Sequence, residues 1–340
     1  MIDLTNSGVP LDIEHREISQ FEFNHWVVQD PDKLGSYLSA QPKDSNLVNA
    51  DLALLRFKFT FSQTETAVGV SWNHTLGDAM VLQRFMNLVS QSYQGLAPSY
   101  PPPTFQKHWF PVPSAQSCQE TLPLMPHFRE TYHFSELGSM YAKVNNSIVR
   151  VNKRIERDQI EALRGRLRQN FSKLSTQDCI TAYIVTVFNR SVDSPIVNVT
   201  NVASYREVSA SLADPHVAGN AIYMIPSGPI NPSECRNIEK IAKTLRNSIV
   251  SCRTTVFIEN WMAVASDLML AAANANKSHF FSYPPDNMSV NSNLSRVQAV
   301  DLEQWRRANQ QYHLDWTGVL STLDFPPPYY FSHLAHQTAI

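Results

Sequence analysis

His74 and Asp78 stand four residues apart in the stretch Trp72-Asn73-His74-Thr75-Leu76-Gly77-Asp78. A neutral imidazole, with an ordinary pKa of about 6.5, can take a proton from an attacking hydroxyl or amine near neutral pH, so His74 is a candidate general base. The plainer alternative is a histidine without chemistry beside an aspartate that caps a helix, and spacing alone does not separate the two. Other chemistries find less support. No third histidine or carboxylate lies nearby at metal-ligand spacing, and no G-x-S-x-G nucleophile elbow occurs. The four cysteines, Cys118, Cys179, Cys235 and Cys252, are widely separated and form no C-x-x-C pair, which suggests neither a disulfide framework nor a zinc site.

A base must be held still to be useful, and the flanking residues are suited to that. Thr66–Trp72 reads as an apolar strand leading into the histidine. From about Asp78 to Tyr93, Val81, Leu82, Phe85, Met86, Leu88 and Val89 recur at helical spacing, and Gly95 ends the pattern. Upstream, Leu52–Phe61 alternates apolar and basic residues, and the polar turn Ser62–Glu65 joins it to Thr66–Trp72 as a hairpin. Residues 1–50 are mostly polar, with an apolar patch at Phe21, Phe23 and Trp26–Val28 and a short helix predicted near 34–38. Prolines between residues 96 and 135 (Pro98, Pro101–Pro103, Pro111, Pro113, Pro123, Pro126) are expected to break regular elements, leaving an ordered connection.

The second half opens with a predicted strand at Ser147–Ile155 and a charged helix at Arg157–Asn170. Ser175-Thr176-Gln177-Asp178 has the form of a capping box entering an apolar helix, Cys179–Arg190. Strands are predicted at Ile196–Ala203 and Asn220–Ile225, helices within 233–275, and a polar irregular stretch at Asn287–Asn293. Strands alternating with helices imply mixed α/β layers.

The chain of 340 residues is 43% hydrophobic and 17% charged, enough for two domains. Its net charge of −2 and the lack of a basic stripe argue against a nucleic-acid partner. No apolar run is read as approaching the roughly 20 residues of a membrane span. The first residues lack the basic start and apolar core of a signal peptide. The expectation is a cytoplasmic protein with no membrane partner.

The order strand, HxxxD, small residue, apolar helix resembles the central motif of the BAHD acyltransferases, which commonly reads H-x-x-x-D-G; Ala79 stands where the glycine is usual. Thr176–Arg190 resembles the helix that opens the family's second domain. Val202–Tyr223 resembles its R-x-x-x-P…G-N segment, with Arg206, Pro215, Gly219 and Asn220 in place. Val290-Asn291-Ser292-Asn293 resembles the polar segment before the second signature, D-F-G-W-G. That signature is not intact: Asp301-Leu302-Glu303-Gln304-Trp305 and Asp315-Trp316-Thr317-Gly318 are the candidates, and Asp315 is preferred.

The resemblance implies an α/β fold of two-domain chloramphenicol-acetyltransferase-like architecture, with mixed sheets covered by helices and an interdomain channel. Expected boundaries are an N-terminal domain over 1–113, a crossover over 114–146 and a C-terminal domain over 147–340. Family members are longer, so the first domain is expected to lack its opening strand and helix. The implied activity moves an acyl group from acyl-CoA to a hydroxyl or amine of a small, secondary-metabolite acceptor, in a monomer that needs no metal or permanently bound cofactor. His74 would be the general base. Asp78 would turn away from the reacting atoms and pair with Arg206, and Asp315 would be structural. Ser292 or the Trp316 indole would face the oxyanion, while Gly219 and Asn220 would shape a turn. Three alternatives remain: a condensation-type domain, whose doubled histidine would need one where Asn73 stands, a binding or regulatory protein that kept the fold and lost catalysis, and a non-functional gene product.

Overall fold

The computed structural model describes residues 8–17, 35–40, 50–63, 66–106, 108–147, 155–281 and 283–290. They form two compact units. One runs to Pro102 and recruits Ala218–Asn220; the other takes Pro103–Val217 and continues from Ala221. Residues 114–146, expected as a crossover, group with the second unit.

The first unit is built on three strands, β1 (Leu11–His15), β2 (Leu55–Phe61) and β3 (Thr66–Trp72), in the order β1-β2-β3. β1 runs parallel to β2, and β3 antiparallel to it. The alternation of β2 places Leu55, Phe57, Phe59 and Phe61 on one face, opposite Trp72, Val70, Val68 and Thr66 of β3. Helix α1 (Ala79–Tyr93) packs on that face, with the Phe85 ring 6.2 Å from Phe57 and 5.7 Å from Trp72. Residues 35–40 cross the opposite face. Ser71 Oγ donates to the Ser39 carbonyl at 2.8 Å, and Lys58 Nζ to the Ser36 carbonyl at 2.8 Å. This close approach needs a glycine at position 69, where a Cβ would lie 1.8 Å from the Tyr37 carbonyl oxygen. Of the helix predicted near 34–38, residue 34 lies outside the described residues, and Gly35–Leu38 make a single turn.

In the second unit the prolines border elements instead of abolishing them, which corrects the expectation for 96–135. Helix α2 (Ala115–Thr121) forms between Pro113 and Pro123, its first turn capped by the Ser114 hydroxyl, which accepts from Ser117 N. β4 (Thr131–His133) and α3 (Phe134–Ser147) follow. Ser147 therefore closes a helix, and residues 148–154 of the strand predicted there lie outside the described residues. Next come α4 (Arg157–Asn170), α5 (Thr176–Ser191), β5 (Asn198–Ser204), β6 (Ile222–Pro226), α6 (Ile238–Cys252), α7 (Thr255–Asn274), β7 (Lys277–His279) and β8 (Asn287–Val290). β5 is central, antiparallel to β6 and parallel to β8, while β4 pairs with β7. Asn287–Val290, the first part of the irregular stretch expected at Asn287–Asn293, form the strand β8, and 291–293 lie outside the described residues. Met288 and Val290 alternate into the core with Val199, Ile184, Val185 and Ile241, and the polar residues between them hid the pattern. A second core cluster joins Tyr223 and Ile225 of β6 to Ile258, Trp261, Val264 and Ala265 of α7. At 20 residues, α7 is long and apolar enough to cross a membrane by length and composition alone, a test that a core helix such as this one also passes, and the sequence reading did not anticipate it.

His127 lies in this second unit, in the 3-10 turn Pro126–Phe128, at 3% exposure. The rings of Phe128, Tyr283, Phe281 and Trp261 lie 4.6, 5.1, 5.8 and 6.5 Å away. Neither ring nitrogen has a hydrogen-bond partner among the described residues. Burial, and secondarily nearby His279, push its pKa down to about 3. The unfolded chain takes up this proton near pH 6.5 and the folded chain resists it to about pH 3. The stabilising contribution is therefore complete above pH 6.5 and is lost progressively as pH falls toward 3. Unfolding by urea is expected to show about 2 kcal/mol less stability from this residue at pH 5 than at pH 8, and His127→Phe should flatten that difference.

Candidate active site

The residues between β3 and α1 form a short loop, and each of its turns has a visible cause. Asn73 N donates to the Leu54 carbonyl at 2.8 Å, which ties the start of the loop to the chain entering β2. The Asn73 side-chain oxygen accepts from Thr75 N at 3.0 Å and Thr75 Oγ at 2.6 Å, the local turn that short amide side chains favour. Leu76 N donates to Asn73 O at 3.0 Å and Gly77 N to His74 O at 3.2 Å. The Trp72 indole Nε1–H donates to the Gly77 carbonyl at 2.9 Å, closing the loop across its base. Gly77 has no room for a side chain: a Cβ would lie 2.7 Å from Val81 Cβ.

The same unit brings in Ala218–Asn220. Gly219 pairs with Gly77 in a parallel bridge and donates its N–H to Leu76 O at 3.1 Å. Asn220 Nδ2 donates to the His74 carbonyl at 3.0 Å. His74 is thus fixed through its own main chain by a residue 146 positions away, a contact that spacing in the sequence does not reveal.

The imidazole of His74 is half-buried. Burial pushes its pKa below 6.5, and the nearby negative charge of Asp78 only partly offsets this. The result is a neutral ring at neutral pH, the protonation state that a general base requires. Asp78 does more than sit in the first turn. It is the N-cap of α1, its Oδ1 accepting from Met80 N at 3.1 Å and Val81 N at 3.4 Å.

Arg206 lies in the second unit, just after β5, and is 1% exposed. Its Nε donates to the Val217 carbonyl at 3.2 Å and its Nη1 to Ser204 Oγ at 3.4 Å. Ser292, Asp315, Trp316 and the rival Asp301 lie outside the described residues. Among the described residues, no group of three or more His, Cys, Asp or Glu is placed to hold a metal ion.

No protein-family profile and no curated protein sequence matches this chain. Solved structures do. TRI101 of F. graminearum, complexed with coenzyme A and deoxynivalenol, aligns with a TM-score of 0.50 at 12% identity, over 84% of this chain and 67% of that one. Vinorine synthase aligns with a TM-score of 0.47 at 16% identity, over 84% of this chain and 62% of its own. The first condensation domain of the CDA synthetase aligns at 0.38 and 12% identity, over 85% and 61%. The chain spans 62% of the length of vinorine synthase. The fold is the α/β fold of the BAHD-type and chloramphenicol-acetyltransferase-like acyltransferases, as the resemblance implied.

Proposed function

We propose that this chain transfers an acyl group from acyl-CoA to a hydroxyl or amine of a small secondary metabolite, with His74 as general base. The observation that carries the reading is an imidazole kept neutral by burial, on a loop fixed by its own main chain, in a chain with an acyltransferase fold. In this reaction the acceptor hydroxyl gives its proton to the imidazole as its oxygen attacks the thioester carbonyl. The tetrahedral oxyanion is held by donors from the Ser292 segment or the Trp316 indole. It collapses to the ester, expelling the CoA thiolate, which takes the proton back from His74. Acyl-CoA is a co-substrate in this scheme, consistent with the coenzyme A bound in TRI101. A cytoplasmic monomer is the form we propose.

The test is release of free CoA thiol from a panel of acyl-CoAs, with and without a mixture of alcohols and amines. Acceptor-dependent release supports the reading, and an ester or amide product distinguishes O- from N-transfer. Tight acyl-CoA binding by folded protein without release would favour a binding protein instead.

Asp78 is proposed to steady the His74 loop through its charge as well as through its cap of α1. Asparagine caps helices about as well as aspartate, so Asp78→Asn keeps the cap of α1 and removes only the charge. It is expected to lower turnover severalfold and to destabilise the protein by about 0.3–1 kcal/mol, because the negative charge beside the His74 ring and at the N-terminus of α1 is lost. Unchanged turnover and melting temperature in Asp78→Asn would remove the charge from the account and leave Asp78 as a cap alone.

A further inference from the structure

Trp72 is the last residue of β3 and is 6% exposed, its ring 5.7 Å from Phe85 of α1. Its indole N–H has a single geometric task in the loop, the 2.9 Å bond to the Gly77 carbonyl. That carbonyl immediately precedes the N-cap Asp78, so it lies outside the hydrogen-bond ladder of α1. Gly77 is itself buried, and a buried carbonyl left without a donor is unfavourable. Residues 72 and 77 are the two ends of the segment that carries His74. The bond between them ties those two ends directly to each other, whereas the bonds at Asn73, Leu76, Gly77 and His74 tie the loop to Leu54, Gly219 and Asn220 or fold it internally.

We propose that Trp72 is a positioning residue for His74: its indole N–H clamps the Gly77 carbonyl, fixes the span of the loop and so holds the imidazole in one orientation. The inference rests on His74 acting as the base, and its role is indirect, since Trp72 touches the loop and not the reacting atoms. The aromatic ring and the N–H are separable. Trp72→Phe keeps an aromatic ring against Phe85 and removes the donor together with part of the buried indole, so a packing control is needed. Leu82→Ala, a buried residue in the first turn of α1, loses packing and lowers stability while leaving both the donor and the acceptor of that bond in place.

The experiment compares wild type, Trp72→Phe and Leu82→Ala, each shown to be folded. Two readouts are independent of turnover: the titration of the His74 ring by NMR in histidine-labelled protein, assigned with a His74 variant, and the rate of its carbethoxylation by diethyl pyrocarbonate. Trp72→Phe is expected to raise the His74 pKa toward its ordinary value and speed its modification severalfold, as the loosened loop admits water. It should also lower kcat about tenfold with KM changed less than about twofold. Leu82→Ala should lower Tm and leave the His74 titration and modification rate as in wild type. An unchanged His74 titration and modification rate in folded Trp72→Phe would overturn the proposal, as would equal shifts in Leu82→Ala. If wild type shows no transferase activity, the acyltransferase reading fails, and these two readouts still decide whether Trp72 positions His74.

Discussion

His74→Ala is expected to lower acceptor-dependent thiol release by about 10²–10⁴-fold, the usual contribution of a general base. The fold should survive the change. What holds the loop at this position is the His74 carbonyl, which accepts from Asn220 Nδ2 and Gly77 N, and alanine retains that carbonyl. A loss of rate without a loss of melting temperature would therefore report on the ring and not on the scaffold. The wild-type rate should fall as pH drops through a midpoint below 6.5, because burial lowers the His74 pKa and only the neutral ring accepts a proton. Retention of most of the rate by folded His74→Ala would move the chemistry elsewhere in the chain.

The largest expected effect on stability comes from Arg246→Ala in the second unit. Asp178 is fully buried in the first turn of α5, where it completes the capping box with Ser175. Its Oδ2 accepts from Ser175 N at 2.6 Å, Ser175 Oγ at 2.8 Å and Arg246 Nε at 2.7 Å, and also from Arg246 Nη2. Its Oδ1 has no partner among the described residues. Removing the guanidinium strands a buried carboxylate, which costs about 3–5 kcal/mol. Urea unfolding should register that loss in Arg246→Ala. Adding Asp178→Asn should recover a large part of it, since the stranded charge is then gone. A loss below about 1 kcal/mol in the single variant would mean that water reaches Asp178 and solvates it.

Local patterns carried much of the fold. Helix α4 ends where its charged, periodic sequence predicts, at Arg157 and Asn170, and α1 begins one residue after the aspartate that caps it. β3 is found at Thr66–Trp72 as the apolar alternation implies. Short strands escaped because their partners are remote. β1 and β8 have five and four residues, each with polar residues between the apolar ones, and become recognisable only beside β2 and β5. The proline-rich stretch misled for a related reason. A proline near the start of a helix or 3-10 turn removes an N–H that would go unused there, so Pro123 and Pro126 fit as the second and first residues of short turns. At the candidate site, His74 stands out in the sequence by residue type and spacing. Its supports were not, since an indole N–H reaching five residues forward and an amide arriving from position 220 leave no periodic trace.

The reach of Asn220 back to His74 also orders events in time. A ribosome adds roughly 5–20 residues per second, so Asn220 is made about 7–30 s after His74. During that interval the three strands and α1 can assemble from contacts that are local or nearly so. The carbonyl of His74 and the bridge at Gly77 must wait for Gly219 and Asn220. The sheet and helix that frame the histidine can therefore precede the finished loop by many seconds. The finished loop around His74 is thus a late event of synthesis, reached only after Pro103–Val217 of the second unit has been translated.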